Sequence, residues 1–499
     1  MRVKKAIRTV FSGIGLQFLK IIFNFLIRGA FIATLGPSIL GINSLFANIM
    51  TLLSVTELGL GGAITAHLYK PLAQKDDHRV SVLMEIYRRL YLGIGFLILL
   101  VGGVITLFIN TLVSGYNGNV NLRLVFILFV LNSALSYMSS YRNVIISADQ
   151  NGYIINRVLN VGFIIQSALQ LMSLYLFENY WLFLISGILV MLLQNMFLNY
   201  LSTKMYGRVS SIVSSVSKTD FNSILDYAKP MMLYMVSGVI NTGTDNIIIS
   251  KFLGVVTVGK YANYTIVTTA IQSIISVLFS SLTAMVGNAH YDKNVNSEEL
   301  FSRVNFLALW INSFLAGGVF LFINPFIEIW LGKGFVFNTL TIGVISTNMF
   351  LIGISQPLIV FREATGSFTI NQYKPLWAAI LNILFSIVLV QLIGLAGVLL
   401  GTILSRLLTY FWNDPLVLYK YYFKKKVRTY FFDVSRFTII TIMFLIIFKV
   451  FSVDTFSVPT FILMVLGYIA TFNIVMVLAN FKSERFKYFL NILRKGIGI

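Results

Sequence analysis

The residues Leu16–Gly36, LQFLKIIFNFLIRGAFIATLG, are apolar enough to cross a lipid bilayer, yet they include a lysine and an arginine. On a helix that turns 100° per residue, the polar side chains of this stretch fall within a stripe about 80° wide. The stripe consists of Gln17, Lys20, Asn24 and Arg28. A charge near the bilayer centre costs about 2.5–3.5 kcal/mol, so we expect the stripe to face a water-filled cavity. The alternative for Arg28 is that it reaches the outer headgroups.

The composition extends this apolar character to the whole chain. Of 499 residues, 57% are hydrophobic and 11% are charged, which no soluble core of this size needs. The absence of cysteine excludes disulfides and thiol chemistry, and the three histidines show no metal-ligand spacing, so we expect no metal or other cofactor. The net charge of +20 indicates cytoplasmic loops more than nucleic acid.

Fourteen apolar stretches are long enough to cross a hydrocarbon core of roughly 30 Å as helices. They lie near 11–34, 39–69, 86–110, 122–148, 154–176, 181–203, 228–252, 257–288, 299–323, 336–362, 373–393, 396–421, 434–451 and 459–481. The fold class predicted from them is an all-α integral membrane protein with about 14 transmembrane helices.

The distribution of positive charge predicts the orientation of these helices. Of the 38 Lys and Arg residues, 30 lie on the termini and even-numbered loops, 5 on odd-numbered loops and 3 inside helices. The three internal cations are Lys20, Arg28 and Arg406. Because cytoplasmic loops carry the excess of positive charge, both termini are predicted to be cytoplasmic.

An internal repeat divides the chain into two lobes. LGPSILG begins at Leu35 and LGVVTVG at Leu253, an offset of 218 residues. Two later pairs recur at offset 214: Gly152 with Gly366, and Asn199 with Asn413. Six helices return the chain to its starting side, so the second lobe should run parallel to the first.

The predicted domains are two pseudo-symmetric six-helix lobes followed by two C-terminal helices. They are the N-lobe at 1–203, a cytoplasmic linker at 204–227, the C-lobe at 228–421, and helices 13–14 with a cytoplasmic tail at 422–499.

Two carboxylates inside predicted spans are candidates for ion coupling or gating. Glu57 lies in the second span, and Asp245 lies in the seventh, which is the repeat partner of the first. Either could couple transport to H⁺ or Na⁺. We also expect Arg28 and Asp245 to approach each other in one state of a cycle, because their helices are equivalent in the two lobes.

Enzyme motifs are missing from the sequence. It contains no phosphate-binding Gly-rich loop with Lys-Ser/Thr, no G-x-S-x-G elbow and no carboxylate cluster resembling a metal-diphosphate site. The short outer loops also argue against a polymerase or ligase that acts on lipid-linked sugars. The sequence therefore predicts a transporter and not an enzyme.

The two six-helix lobes, the two extra helices, the basic N-terminus and the paired LG-x₄-G motifs together resemble a polysaccharide flippase. The family is the Wzx-like branch of the MOP (MATE-like) exporter superfamily. The resemblance implies alternating-access movement of undecaprenyl-diphosphate-linked oligosaccharide units to the outer leaflet of the bacterial cytoplasmic membrane. It further implies a role in capsule, exopolysaccharide or O-antigen synthesis, with membrane lipids and polysaccharide polymerase machinery as partners.

The resemblance also implies roles for individual residues. Cations in the cavity would hold the diphosphate: Lys20 and Arg28 first, then Arg142 and Arg406. Polar side chains would contact the sugars: Gln17, Asn24, Asn48, Tyr234, Asn241 and Gln272. Helices 13 and 14 would border a groove for the lipid tail.

Relatives in the same superfamily supply the alternatives. A cation-coupled multidrug exporter would place carboxylates in the cavity of the first lobe, whereas the first helix here is basic, although Glu57 and Asp245 could still form an acidic site. A lipid II flippase would add arginines on helices 2 and 8, which this sequence lacks. A membrane-embedded polymerase or ligase is the alternative outside the superfamily.

Overall fold

The computed structural model describes residues 2–54, 60–149, 151–211, 217, 221, 243–291, 296–365, 371, 373–450 and 457–497. Within these ranges it describes side chains from residue 19 onward, except at 60–63, 66, 210–211, 280–281, 283–285, 287–291, 363–365 and 492–497. In these ranges all regular structure is helical. The chain forms two units, Met1–Ala262 and Asn263–Ile499. The predicted lobe boundary at 204–227 stays a prediction.

The helices of the first unit are α1 (Arg2–Leu53), α2 (Leu60–Gln74), α3 (Asp77–Leu112), α4 (Leu122–Ser140), α5 (Asn143–Ala148), α6 (Gly152–Tyr175), α7 (Tyr180–Met205), α8 (Gly207–Ser211) and α9 (243–253). Helix α10 (Val255–Tyr291) begins in the first unit and continues into the second.

The helices of the second unit are α11 (Ser297–Leu331), α12 (Thr339–Ile354), α13 (Gln356–Thr365), α14 (Lys374–Ile393), α15 (Leu395–Arg406), α16 (Trp412–Val417), α17 (Arg428–Val450), α18 (Val458–Asn480) and α19 (Glu484–Ile497). Two π-helical turns, Leu407–Phe411 and Leu418–Phe423, lie on either side of α16.

Twelve helices in the described part of the chain are long and apolar enough to cross a membrane. One of them, Leu19–Leu53, covers parts of the predicted spans 11–34 and 39–69, and Gly36 breaks the helix between them with a φ of 80° and a ψ of 170°. Only the predicted span at 228–252 has no counterpart among the twelve, and its residues 228–242 lie outside the described ranges. The chain is an all-α multi-pass membrane protein, as predicted.

The two LG-x₄-G stretches adopt the same backbone conformation. Gly36 has a φ of 80° and Gly254 a φ of 82°, in the left-handed region that favours glycine. In each case the glycine ends one helical segment and the next segment begins directly after it. We call these two turns, at 35–41 and 253–259, the glycine elbows.

The glycine elbows also pack against each other within the first unit. A Cβ atom added to Gly41 would overlap the carbonyl of Val255, and one added to Gly259 would overlap the carbonyl of Pro37. Val255 is the repeat equivalent of Pro37, so the contact is reciprocal, as in an interface between identical subunits. The second glycine of each motif is therefore needed for this close approach.

Hydrogen bonds fix the second elbow to the end of α3. The backbone N–H of Val255 donates to the carbonyl of Ser114 at 3.0 Å. The Ser250 hydroxyl donates to Leu112 at 2.7 Å, and the Lys251 ammonium donates to the carbonyl of Thr111 at 3.0 Å. All these residues lie on the side predicted to be external.

Helix α19 is an amphipathic helix that covers part of α11. The ring of Phe486 stacks on Trp310 at 5.7 Å between ring centroids, and the Arg303 guanidinium lies 3.6 Å from the ring centroid of Tyr488. The Arg485 guanidinium pairs with Asp433 on α17. An aromatic face with basic residues on the other side is typical of a helix at a membrane surface.

Candidate functional site

The first segment of α1 has two exposed faces. On one face Leu19, Ile22 and Leu26 are 37%, 56% and 52% exposed, which suits contact with lipid. Asn24 is exposed on the opposite face, about 160° away around the helix. Because a polar face and an apolar face of one helix cannot both be stable against hydrocarbon, the face of Asn24 needs a polar surrounding.

Lys20 and Arg28 lie on either side of Asn24 and are half-buried. The Lys20 ammonium lies 5.8 Å from the ring centroid of Phe163 on α6, at cation–π distance. Among the described residues neither cation forms an ion pair. No carboxylate of the described residues therefore neutralises either positive charge.

The other predicted polar contacts are placed in part. The Asn48 side chain donates to the carbonyl of Ser44 at 2.7 Å, within its own helix. Gln272 is half-buried on α10, in the second unit. The side chain of Gln17 and the whole of Tyr234 and Asn241 lie outside the described residues.

Of the two candidate carboxylates, the structure describes only one. Asp245 on α9 is 7% exposed, and Tyr261 on α10 is close enough to interact with it electrostatically. Asp245 and Arg28 form no ion pair in this structure, so their predicted approach stays a prediction. Glu57 lies outside the described residues.

The remaining predicted cations occupy different surroundings. Arg142 precedes α5 and donates to the hydroxyls of Tyr141 at 3.0 Å and Thr203 at 2.6 Å, so it links the α4–α5 junction to α7. Arg406 is half-buried at the end of α15, in the second unit. The hydrogen bonds of Arg142 give it a structural role whether or not it contacts a ligand.

A buried charge cluster in the second unit was missed by the sequence analysis. The Arg362 guanidinium and the Lys374 ammonium both donate to Oδ1 of Asp414, and the three side chains are 5%, 6% and 8% exposed. The Lys374 ammonium also lies 4.5 Å from the ring centroid of Tyr410. Two cations on one carboxylate leave a net charge of +1, and ionisable groups inside a membrane protein are usually functional.

One feature of the sequence conceals this cluster, and another indicates it. Arg362 and Lys374 lie at span ends and were counted as loop charges. Asp414 precedes a proline inside an apolar span, a pattern that requires an explanation. The π-helical turns on both sides of Asp414 supply a second signal, since such turns are frequent at functional sites.

The second unit also contains an apolar cavity of about 240 Å³. It lies among α10, α11 and α18, and its lining residues are Val267, Ile271, Phe314, Leu315, Gly318, Val319, Phe322, Ile323, Phe326, Phe461, Val465, Tyr468 and Ile469. Helix α18 is the fourteenth predicted span. The cavity can accept hydrocarbon and offers almost nothing to a polar ligand.

No protein-family model and no curated protein matches the sequence. Solved structures do match, at low sequence identity. The lipid II flippase MurJ in an inward closed conformation is 14% identical, with a TM-score of 0.68 over 93% of this chain and 97% of its own.

Multidrug transporters match as well. An inward-facing MATE family transporter of the MOP superfamily is 16% identical, with a TM-score of 0.62 over 78% of this chain and 91% of its own. A mutant of the Vibrio cholerae MATE transporter VcmN is 15% identical, with a TM-score of 0.56 over 84% of this chain and 98% of its own. The chain therefore has the fold of MOP-superfamily transporters. Both a flippase and drug exporters are among the solved structures with this fold.

Proposed function

We propose that this protein is a flippase that moves a polyprenyl-diphosphate-linked oligosaccharide from the cytoplasmic to the outer leaflet of a bacterial cytoplasmic membrane. The observation that carries the proposal is the polar face of α1. It presents Lys20 and Arg28 on the side opposite the lipid-facing residues Leu19, Ile22 and Leu26. Neither cation has an acidic partner among the described residues.

The diphosphate explains why a membrane protein would keep these charges. A diphosphate cannot enter hydrocarbon without cations to neutralise it, and charge-assisted hydrogen bonds from Lys and Arg are the strongest available. Binding would favour whichever conformation brings Lys20 and Arg28 closest to the phosphates, and release on the other side would reverse this preference. Alternating access then needs no covalent chemistry, so we propose no enzymatic activity.

An apolar cavity and the fold itself give further support to the proposal. The apolar cavity beside α18 suits part of a polyprenyl chain, and it includes one of the two helices that follow the repeated lobes. The fold is shared with a lipid II flippase over nearly the full length of both chains. Because that neighbour is a lipid II flippase, the fold is compatible with a lipid-linked substrate.

A cation-coupled drug exporter is the second candidate, because MATE transporters share the fold. The buried carboxylate of Asp245 is the observation in its favour. The basic face of α1 is against it, since a cationic drug would be repelled by Lys20 and Arg28.

Reconstitution into liposomes distinguishes these functions. The full chain is given either a fluorescent polyprenyl-diphosphate oligosaccharide or a cationic dye, and translocation of each is measured. We expect movement of the oligosaccharide lipid, its loss in Lys20→Ala/Arg28→Ala, and its retention in Arg123→Ala/Lys333→Ala, which removes two exposed cations. Movement of the dye alone would support the drug exporter, and chemical change of the oligosaccharide would support an enzyme.

A further inference from the structure

The first unit contains a cavity of about 430 Å³ among α1, α4, α6 and α7, within the usual size range of small-molecule sites. Carboxamide side chains dominate its polar lining: Asn43, Asn132, Gln166, Gln170 and Gln194. Phe129 and Phe183 add two aromatic rings. The sequence analysis assigned none of these residues to a site.

On α7 the cavity and the lipid-facing residues lie on different faces of the helix. On α7 the lining residues Phe183, Gly187 and Met191 share one face of the helix. Ile185 and Leu189, which are 46% and 50% exposed, lie about 180° away around the helix. Gln194, the amide that α7 contributes, shares the face of Phe183, Gly187 and Met191 and therefore points away from Ile185 and Leu189.

Several of these amides retain unused hydrogen-bonding capacity. Gln166 and Gln170 form no side-chain hydrogen bond with any described residue. The Oδ1 atom of Asn132 is buried and accepts no hydrogen bond from the described residues, while Oδ1 of Asn43 accepts one from the Tyr180 hydroxyl at 3.2 Å. Buried polar atoms are normally satisfied, so Oδ1 of Asn132, together with the half-buried Gln166 and Gln170, indicates a polar ligand or water.

The chemistry of the lining selects an uncharged ligand. None of the described lining residues is charged, so a buried ion would have no counter-charge. Each carboxamide offers donors and an acceptor, which is what a ligand with many hydroxyl groups requires. The rings of Phe129 and Phe183 provide apolar surfaces for the C–H faces of a sugar ring.

The cavity is adjacent to the cation stripe. Phe163, which contacts the Lys20 ammonium, shares a face of α6 with Gln166 and Gln170. Phe163 and Gln166 are three residues apart, about 4.5 Å along the helix axis. A ligand held at Lys20 could therefore extend directly towards the amides.

We propose that this amide-lined cavity binds a neutral sugar unit of the lipid-linked substrate while the α1 cations hold its diphosphate. The inference rests on the proposed function and names the part of the substrate that this cavity recognises. Gly187 adjoins the two glutamines, since a Cβ atom there would make van der Waals contact with Nε2 of Gln166 at 3.4 Å and with Nε2 of Gln170 at 3.7 Å. A large side chain at 187 would fill the space.

The test measures binding of two kinds of probe to the full chain in nanodiscs. Glucose, rhamnose and N-acetylglucosamine, followed by saturation-transfer NMR, report on the cavity, and inorganic pyrophosphate reports on the α1 cations. We expect at least one sugar to bind, with the signal reduced at least fivefold in Gln166→Leu/Gln170→Leu and in Gly187→Phe. Pyrophosphate binding should be unchanged in these variants, which also shows that they are folded.

Matched controls make the same changes at exposed positions. Gln391→Leu removes an exposed amide on α14, and Gly93→Phe adds a ring on α3 where a Cβ meets no other atom. Both should bind sugar normally. The inference is overturned if no sugar binds, or if the cavity variants bind sugar as well as the controls do. If the natural chain binds sugar but neither binds pyrophosphate nor translocates the lipid-linked oligosaccharide, the proposed function is overturned instead.

Discussion

Lys20 and Arg28 are predicted to contribute to substrate binding separately. A hydrogen bond to a charged group is worth about 1.5–3 kcal/mol, so removal of either cation should lower translocation at limiting substrate by roughly ten- to a hundredfold. Lys20→Gln and Arg28→Gln test this in liposomes, with Arg123→Gln as the control. Equal activity of both variants and the control would show that the stripe does not bind the diphosphate.

Arg28 and Asp245 provide a test of the transport cycle. If the two side chains pair in one conformation, reversing both charges should retain more translocation than the worse of Arg28→Asp and Asp245→Arg. The measurement is export of surface polysaccharide in cells that lack the natural protein. A double variant that is no better than the worse single variant would disprove the pairing.

Asp414 is expected to be essential for stability. Removing one partner from a buried ion pair costs about 3–5 kcal/mol, because the remaining charge is left unneutralised. Asp414→Asn should therefore lower the unfolding temperature strongly, measured in detergent by size-exclusion chromatography after heating. Asp414→Asn/Lys374→Gln restores the net charge of +1 and should recover part of the loss. If the double variant is less stable than Asp414→Asn, charge balance is not the cause.

The sequence reveals a buried charge only where its neighbours are uniformly apolar. Lys20 and Arg28 were recognised because apolar residues surround them on the chain. Arg362 and Lys374 were not recognised, because they begin or end spans, where positive charge is normal. Their burial depends on contact with Asp414, 52 and 40 residues away, which no local pattern encodes.

Among the helices, the glycine elbows give a prediction about packing. Gly259→Ala places a methyl group on the carbonyl of Pro37, and overpacking typically costs about 1–3 kcal/mol. We expect a lower unfolding temperature in the same heating assay. Gly103→Ala, whose Cβ meets no other atom, is the control and should not be destabilised. Equal behaviour would show that the elbow relaxes without cost.

Hydropathy predicted the long helices well and their interruptions poorly. The length of an apolar run is fixed by the thickness of the bilayer, so the spans follow from composition. The break between α4 and α5 and the π-helical turns around α16 depend on local backbone geometry and long-range contacts. Helix α19 is likewise held in place by aromatic packing on α11, whereas the sequence predicts only a cytoplasmic tail at this position.

For the chain as a whole, the charge distribution predicts that both termini are cytoplasmic. Fusions of green fluorescent protein to either end should fluoresce. Green fluorescent protein does not fold after export by the general secretory route, so fluorescence reports a cytoplasmic position. Alkaline phosphatase inserted beside Lys333, on an odd-numbered loop, should be active, and the same insertion beside Lys75, on an even-numbered loop, should be inactive. The opposite pattern would invert the topology.

The sequence predicts two lobes because the repeat leaves matching residues at fixed offsets, and this division stays a prediction. Of the candidate site, the sequence predicts the cations of α1 but does not predict the amide-lined cavity. The amide-lined cavity combines residues from four helices, Asn43 and Gln194 being 151 positions apart, and only folding brings them together.

The reciprocal contact of the glycine elbows means that sequence changes in one of these two distant segments are constrained by the other. Each heptapeptide supplies a glycine without a side chain and a backbone carbonyl that packs against the glycine of the other heptapeptide. A change in either heptapeptide therefore affects both contacts. A one-residue insertion in 37–40 would displace two contacts at once, and the same insertion made at 255–258 should cause the same defect. Duplication of an ancestral half would have produced both glycine elbows in a single event, with surfaces that already fit each other.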